Sequence, residues 1–266
     1  MSTGAQTTTL VKTQTTTVVK IGGSTLGSQD TSLQDVVTLH RAGARPVVVH
    51  GGGAMITDWL GKMQVESVFV DGLRSTSREA LDVVVGVLRG VVNAQLVAEL
   101  GAVGGRAVGL SGVDGGCVRA ERYDERLGYV GRVTGVDGDF VASLLDAGVI
   151  PVIAPIGLEA PAQPLNINAD TVAGEVARAL GADSLVFLTD VDGLLDAEKQ
   201  LVSEVDAERA RALRADGVLT GGMIPKIDAC FRAAEVGVRA FIANGTQPGT
   251  LRQIATGEAA GTRILG

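Results

Sequence analysis

The sequence predicts an α/β fold, a three-layer sandwich in which helices cover both faces of one central, mainly parallel sheet. Three observations lead there. Short runs of β-branched and aliphatic residues alternate with amphipathic or Ala-rich segments along nearly the whole chain, the pattern of successive strand-helix-strand units. The runs are apolar throughout rather than every second residue, as in strands buried on both faces. No Pro- or Ser-rich linker and no solenoid-type repeat divides the chain, so two lobes sharing one continuous sheet fit better than two separate domains.

In chain order, TTVVKI (16–21) and RPVVVH (45–50) read as the first two buried strands, with helical segments over 29–43 and 54–62. A long helix follows over 78–101. RAVGL (106–110) is the next strand, and CVRAERY and YVGRVTGV flank a turn within 116–136 as a small antiparallel patch. The remaining strands are VIPVIA (149–154), SLVFLT (184–189) and RAFIA (239–243), with helices over 137–147, 171–181, 206–213 and 226–236. In the long helix, Leu81, Val84, Val85, Leu88, Val92 and Leu96 recur at helical spacing, and Val83, Val87, Val91 and Val97 occupy much of the remaining face. Asp82, Arg89, Asn93, Gln95 and Glu99 interrupt it, which argues against a membrane span. A helix apolar on more than one face must be covered on more than one side, by its own domain or by a second subunit.

With 266 residues, 45% of them hydrophobic and 20% charged, the chain can bury a sizeable core. The net charge of −7 weighs against nucleic-acid binding, which needs a basic face, yet leaves room for a small anion held by a few local cations. Cys117 and Cys230 lack metal-ligand spacing and read as small, reduced core residues of a cytoplasmic protein, and two histidines are too few for a His-rich zinc site. The threonine-rich stretch 1–16 lacks the apolar core of a signal peptide and reads as a flexible extension.

Chemistry in such sheets collects at the carboxyl ends of the strands. There the first strand is followed by Lys20-Ile21-Gly22-Gly23-Ser24 and the second by His50-Gly51-Gly52-Gly53. Glycine runs at these places let consecutive backbone N–H groups converge on an anion. Neither run is a Walker loop, and no dinucleotide fingerprint follows the first strand. Asn166-Ile167-Asn168-Ala169-Asp170 precedes a helix, so Asp170 is either its N-cap or a functional carboxylate. Asp190-Val191-Asp192-Gly193-Leu194 is an Asx-type turn or a loop beside a nucleotide. Thr220-Gly221-Gly222-Met223-Ile224-Pro225-Lys226 sets a lysine at a helix start, where the helix dipole disfavours a cation unless an anion lies between. His50 reads as a structural histidine.

KIGGS, VHGGG, DGLR, GLSGVDGG, LGYVG, NINAD, TDVDGLL and GGMIPK occur here in an order that resembles the N-acetylglutamate kinases of the amino-acid-kinase superfamily, over about residues 17–266. The resemblance implies transfer of the γ-phosphoryl group of MgATP to the side-chain carboxylate of N-acetyl-L-glutamate, the second step of arginine biosynthesis, with no general base. Two alternatives are a kinase acting on carrier-bound 2-aminoadipate in lysine biosynthesis, and a non-catalytic amino-acid or nucleotide sensor of the same superfamily.

Residue by residue, the resemblance implies that Lys20 and Lys226 flank the transferring phosphoryl group and that Asp170 holds them by ion pairs. Gly22, Gly23, Gly52 and Gly53 would donate backbone hydrogen bonds to phosphoryl oxygens or the acceptor. Arg74 would grip the acceptor's α-carboxylate, with Asn166 and Asn168 on its α-substituents. Asp190, Val191, Gly193, Leu194, Leu195 and Thr220 would border the nucleotide. Tyr129 either covers the acceptor or is an ordinary hairpin residue. Mg²⁺ would be held mainly by phosphates and water, with no protein ligand set. It further implies an acceptor-binding and dimerisation lobe over 17–168, a nucleotide-binding lobe over 169–266, and a homodimer paired through helix 78–101. Arginine-inhibited relatives carry an extra N-terminal helix; the short threonine-rich start suggests an arginine-insensitive dimer.

Overall fold

The computed structural model describes residues 14–22, 31–70, 72–258 and 260–266; the expected extension 1–16 lies almost wholly outside them, as does Gly23. The first strands are β1 (Thr16–Ile21), β2 (Arg45–His50), β3 (Val68–Val70), β4 (Leu73–Ser75) and β5 (Ala107–Ser111). They are followed by β6 (Val118–Arg122), β7 (Gly131–Val136), β8 (Ile150–Ala154), β9 (Ile156–Glu159) and β10 (Gln163–Asn166). The last are β11 (Ser184–Thr189), β12 (Glu204–Val205), β13 (Arg239–Asn244) and β14 (Thr262–Ile264).

Eight of them form one sheet in the order β12-β14-β13-β11-β1-β2-β8-β5. Every pairing in it is parallel except β13 with β14. The two halves of the chain meet where β1 pairs with β11, Thr17 opposite Ser184 through Ile21 opposite Leu188. Consecutive residues enter different cores: Val18, Val47 and Val49 pack with helices Gly138–Asp146, Ala169–Ala179 and Met223–Ala234. Val19, Ile21 and Val48 pack with helices Ser32–Arg41, Gly53–Lys62, Arg78–Ala102 and Thr250–Thr256. That alternation follows from the strand's period of two and makes the three layers.

The structure extends the expected antiparallel patch from two strands to a four-stranded mixed sheet, β10-β9-β6-β7, in which β6 and β9 run parallel, and adds a small hairpin, β3-β4. β3, β4, β12 and β14 are only two or three residues long, too short for periodicity to register. The long helix runs Arg78–Ala102, with a π-helical stretch at Gly86–Val92. It is long and apolar enough to cross a bilayer, but half of its apolar window is buried in the fold. Val83 and Val87 of its second apolar set are buried along with Leu81, Val84, Leu88, Val92 and Leu96. Its exposed positions include a line of small residues, Gly86, Gly90, Ala94 and Ala98, together with Asp82 and Gln95. The chain itself therefore buries half of the second apolar set, Val83 and Val87, and leaves Val91 and Val97 half-buried.

The β3-β4 hairpin is tied to the four-stranded sheet at Gly128. Thr76 N donates to Leu127 O (2.9 Å), Tyr129 N donates to Thr76 O (2.8 Å), and a Cβ on Gly128 would lie 2.4 Å from Thr76 O. Gly128 also has φ of 67° and ψ of −117°, a conformation open to glycine alone. Gly128→Ala is expected to destabilise the protein by about 2–3 kcal/mol through strain plus contact, read as a lowered denaturation midpoint at unchanged slope.

Candidate active site

At the carboxyl ends of β1 and β2, two lysines from distant parts of the chain converge on one carboxylate. Lys20 Nζ, from β1, lies 2.9 Å from Asp170 Oδ1, and Lys226 Nζ lies 3.0 Å from Asp170 Oδ2. The Lys226 contact is a hydrogen bond, whereas the Lys20 contact is ionic and off the hydrogen-bond direction. The side chains of all three are at most 12% exposed. Close packing of helices Ala169–Ala179 and Met223–Ala234 makes this possible: a Cβ on Gly174 would already sit 3.1 Å from Ala229 Cβ. Asp170 and Lys226 lie about one turn before that contact on their respective helices.

Burial is the largest influence on Asp170 and pushes its carboxyl up, but the Lys20 and Lys226 ammonium groups outweigh it and hold it below the usual carboxylate range. Burial, opposed by Asp170 and assisted by Lys20, lowers Lys226. The cap of helix Ala169–Ala179 is Asn168, whose Oδ1 accepts from Asp170 N (2.9 Å) and Thr171 N (3.1 Å). The capping alternative for Asp170 is therefore corrected: its carboxylate is left to the lysines. The anion that the position of Lys226 called for is, in the first instance, this carboxylate.

Beside the cluster opens a cleft of about 290 Å³ lined by Gly51, Gly52, Gly53, Arg74, Leu88, Val130, Asn166 and Asn168 among others. Arg74 projects from β4 and is 8% exposed. Its Nη2 donates to Gly53 O (3.0 Å) and Thr57 Oγ1 (2.8 Å), its Nη1 donates to Ser67 Oγ, and its guanidinium lies 4.6 Å from the centre of the Phe69 ring. Burial lowers its pKa from the usual arginine range. Asn166 Nδ2 donates to Thr76 Oγ1 (3.1 Å). Tyr129 lies under the Arg122 guanidinium, 4.1 Å from its ring centre.

The expected nucleotide loop lies at the carboxyl end of β11 and is bound to neighbouring strand ends. Thr189 Oγ1 donates to Val191 O (2.8 Å), and Leu194 N donates to Thr262 Oγ1 (2.8 Å). The side chain of Leu194 is buried in the core, so backbone is what that residue has to offer a ligand. Leu195 bridges to Leu201, and a Cβ on Gly193 would meet Thr262 Oγ1 at 2.6 Å. Asp192 Oδ1 accepts from Asn244 Nδ2 and Gln247 Nε2, both at 2.8 Å, clamping this loop to the one after β13. Asp190 and Thr220 are at the surface, Thr220 O accepting from Met223 N (3.1 Å) at the start of helix Met223–Ala234. Gly22 directly follows β1, and Gly23 lies outside the described residues.

Sequence reasoning did not single out Thr57 and Ser67, which orient Arg74, or Asn93, which is fully buried and bonds His50. For Asn93 a signal was present, a short amide between Val92 and the apolar positions that follow in the long helix.

The profile of the amino acid kinase family matches residues 15–244. The chain belongs to the amino acid kinase family. An acetylglutamate kinase of Synechococcus sp. (strain RCC307) is 46% identical over 258 residues, covering 94% of this chain and 87% of its own. Another acetylglutamate kinase, of Dehalococcoides mccartyi (strain ATCC BAA-2266 / KCTC 15142 / 195), is 40% identical over 255 residues and covers 94% of both chains. The crystal structure of smu.665 from Streptococcus mutans UA159 superposes with a TM-score of 0.82 at 30% identity, covering 94% of this chain and 98% of that one. The amino acid kinase fold is thus the α/β sandwich with a large, mostly parallel sheet that the sequence predicts.

His50 is fully buried, and burial, together with the nearby Lys20 charge and against its backbone hydrogen bond to Gly51, lowers its pKa from 6.5 to about 4. Between those two values the unfolded chain binds the extra proton and the folded chain does not. Stability should therefore fall as pH drops from 6.5 to about 4, by up to about 3 kcal/mol from this group, and no further below that. Denaturant titrations across that range should show a shallower acid-side loss for His50→Asn than for the wild type.

Proposed function

We propose that this member of the amino acid kinase family transfers the γ-phosphoryl group of ATP to the side-chain carboxylate of N-acetyl-L-glutamate, the second step of arginine biosynthesis. The observation that carries this reading is the buried Lys20–Asp170–Lys226 cluster beside a glycine-lined cleft containing Arg74. Two ammonium groups against one carboxylate leave a net positive charge where an anionic acceptor and a triphosphate have to meet. The 40–46% identity to acetylglutamate kinases over 94% of the chain supports the choice of acceptor.

The acceptor carboxylate has an ordinary pKa of about 4.3 and is ionised at neutral pH, so no base has to remove a proton. His50, bonded to Gly51 and Asn93, is not needed as one. Lys20 and Lys226 offset charge on the phosphoryl group during transfer, and Asp170 keeps the two cations in place. Gly52 and Gly53 offer backbone N–H groups, with Gly22 and Gly23 doing so from the first strand end. Arg74 supplies the guanidinium donors not already bonded to Gly53, Thr57 and Ser67 to the acceptor's α-carboxylate. Asn166 and Asn168 contact its α-substituents, Asn168 through the Nδ2 group that its capping role leaves over. Asp190, Val191, Gly193, Leu194, Leu195 and Thr220 border the nucleotide.

No group of three or more His, Cys, Asp or Glu side chains suited to a metal occurs among the described residues, and Asp170 is engaged by both lysines. That donor set suits Mg²⁺ held by phosphate oxygens and water, where it supplies further charge neutralisation.

The lobe over 17–168 then binds acceptor, and that over 169–266 binds nucleotide, in a cytoplasmic protein. An ATP-dependent acyl-phosphate assay with hydroxylamine trapping, comparing N-acetylglutamate, free glutamate, UMP and carrier-bound 2-aminoadipate, should give turnover with N-acetylglutamate. Lys226→Ala should lose at least about 100-fold in kcat, the scale of removing one charge-stabilising donor. Unchanged turnover in that variant would refute the mechanism.

The outward line Gly86, Gly90, Ala94 and Ala98 lets a second backbone approach closely, which supports a homodimer paired through helix Arg78–Ala102. Light scattering at micromolar concentration should give twice the chain mass; a monomer would remove this part of the proposal.

A further inference from the structure

On the opposite face of the sheet from the lysine cluster, a buried polar pair reaches the glycine loop. His50 ends β2, and its Nδ1 lies 2.8 Å from Gly51 O. Its Nε2 lies 3.0 Å from Asn93 Nδ2, which also donates to Val152 O (2.9 Å). A carbonyl oxygen only accepts, so the Asn93 group facing it is the NH₂, and His50 Nε2 must accept from it. The single ring proton then sits on Nδ1 and is donated to Gly51 O. The neutral ring this requires agrees with a pKa lowered by burial.

The Gly51–Gly52 peptide is planar, with its C=O and N–H pointing in opposite directions. Anchoring Gly51 O toward His50 therefore turns Gly52 N–H the other way, toward the cleft that Gly51, Gly52 and Gly53 line. The same helix closes on this loop from above: a Cβ on Gly52 would lie 2.8 Å from Leu88 Cδ2, within the π-helical stretch that ends just before Asn93. Asn93 in turn needs a bare backbone opposite, since a Cβ on Gly109 would lie 2.0 Å from its Oδ1.

We infer that Asn93 is a positioning residue for phosphoryl transfer: by fixing the Nδ1–H form of His50 it sets the Gly51–Gly52 peptide so that Gly52 N–H faces the reacting groups. This rests on the acetylglutamate kinase reading above.

The two conservative replacements of His50 separate the idea from simple packing. An Asn side chain reproduces the Nδ1–H donor and leaves the larger void, whereas Gln reproduces Nε2 and fills more space. His50→Asn should keep kcat within about threefold of wild type, because Gly51 O stays anchored. His50→Gln and Asn93→Ala should each lose roughly 10- to 100-fold in kcat, somewhat less than outright loss of a donor to developing charge, with both KM values within about threefold. In the His50→Asn background, Asn93→Ala should add little. A kcat for Asn93→Ala within twofold of wild type, or His50→Asn as impaired as His50→Gln, would overturn the proposal.

If Asn93→Ala does not fold, the two His50 variants still decide. If the wild type fails to turn over N-acetylglutamate, that removes the functional reading, and ¹⁵N NMR of the free protein decides the positioning one. A protonated Nδ1 with an unprotonated Nε2 on His50, and a displaced Gly52 amide resonance in Asn93→Ala, support it; the reverse tautomer or an unmoved Gly52 resonance overturns it.

Discussion

Three charges held out of water around Asp170 constrain the rest of this molecule. Two ammonium groups brought this close in a buried place would repel each other strongly, and a carboxylate between them is what lets both stay. The arrangement is incomplete as a salt bridge, because one positive charge remains over. That surplus is costly for stability and suited to an anion, which is the compromise expected of a site rather than of a structural ion pair. It also draws on both halves of the chain, since Lys20 belongs to β1 and Lys226 to the helix Met223–Ala234. The β1–β11 pairing and the close approach at Gly174 and Ala229 are the packing terms that hold it together.

The sheet distributes the work between its two faces. Lys20 lies on the same face as Val18, toward the helix carrying Asp170, while His50 lies on the same face as Val48, toward the helix carrying Asn93. Cations reach the strand ends from one layer and support for the glycine loop from the other. A slip of one residue in β1 or β2 would exchange these faces, so the continuous apolar packing that fixes register also fixes the chemistry.

The main strands were legible because each is a run of apolar residues with a turn at its end, and the glycine loops because they fall at carboxyl ends. The two lysines stood out for similar reasons, one just before a glycine run and one at an electrostatically awkward helix start. The short elements were not legible: β12 is two residues long, and β9 and β10, IGLE and QPLN, carry too few apolar residues for a pattern. The sequence offers Asp170 as one alternative for the cap, whereas Asn168 takes it, because both residue types cap well and only the backbone decides which side chain reaches the N–H groups. Asn93 was visible as an interruption in the long helix, but its partner on β2 is 43 residues away in sequence, and sequence separation carries no information about which polar groups share a core.

A net negative charge is no bar to the anion binding proposed for the cleft, and the reason is distance. At physiological ionic strength, exposed charges are screened over about 8 Å, so the surface carboxylates behind a net charge of −7 scarcely act on the cleft. Lys20 and Lys226, almost fully buried, are screened much less by salt. Composition therefore speaks to polymeric partners, which would have to lie across the acidic surface, whereas the sign of the field at the cleft is set by a few groups whose placement only the fold determines. Glycine acts on the same scale: Gly51 N donates to Ile21 O (3.1 Å), whereas Gly52 and Gly53 line the cleft, and their backbone N–H groups, which carry no net charge, are the donors proposed for an anion that the overall charge would repel.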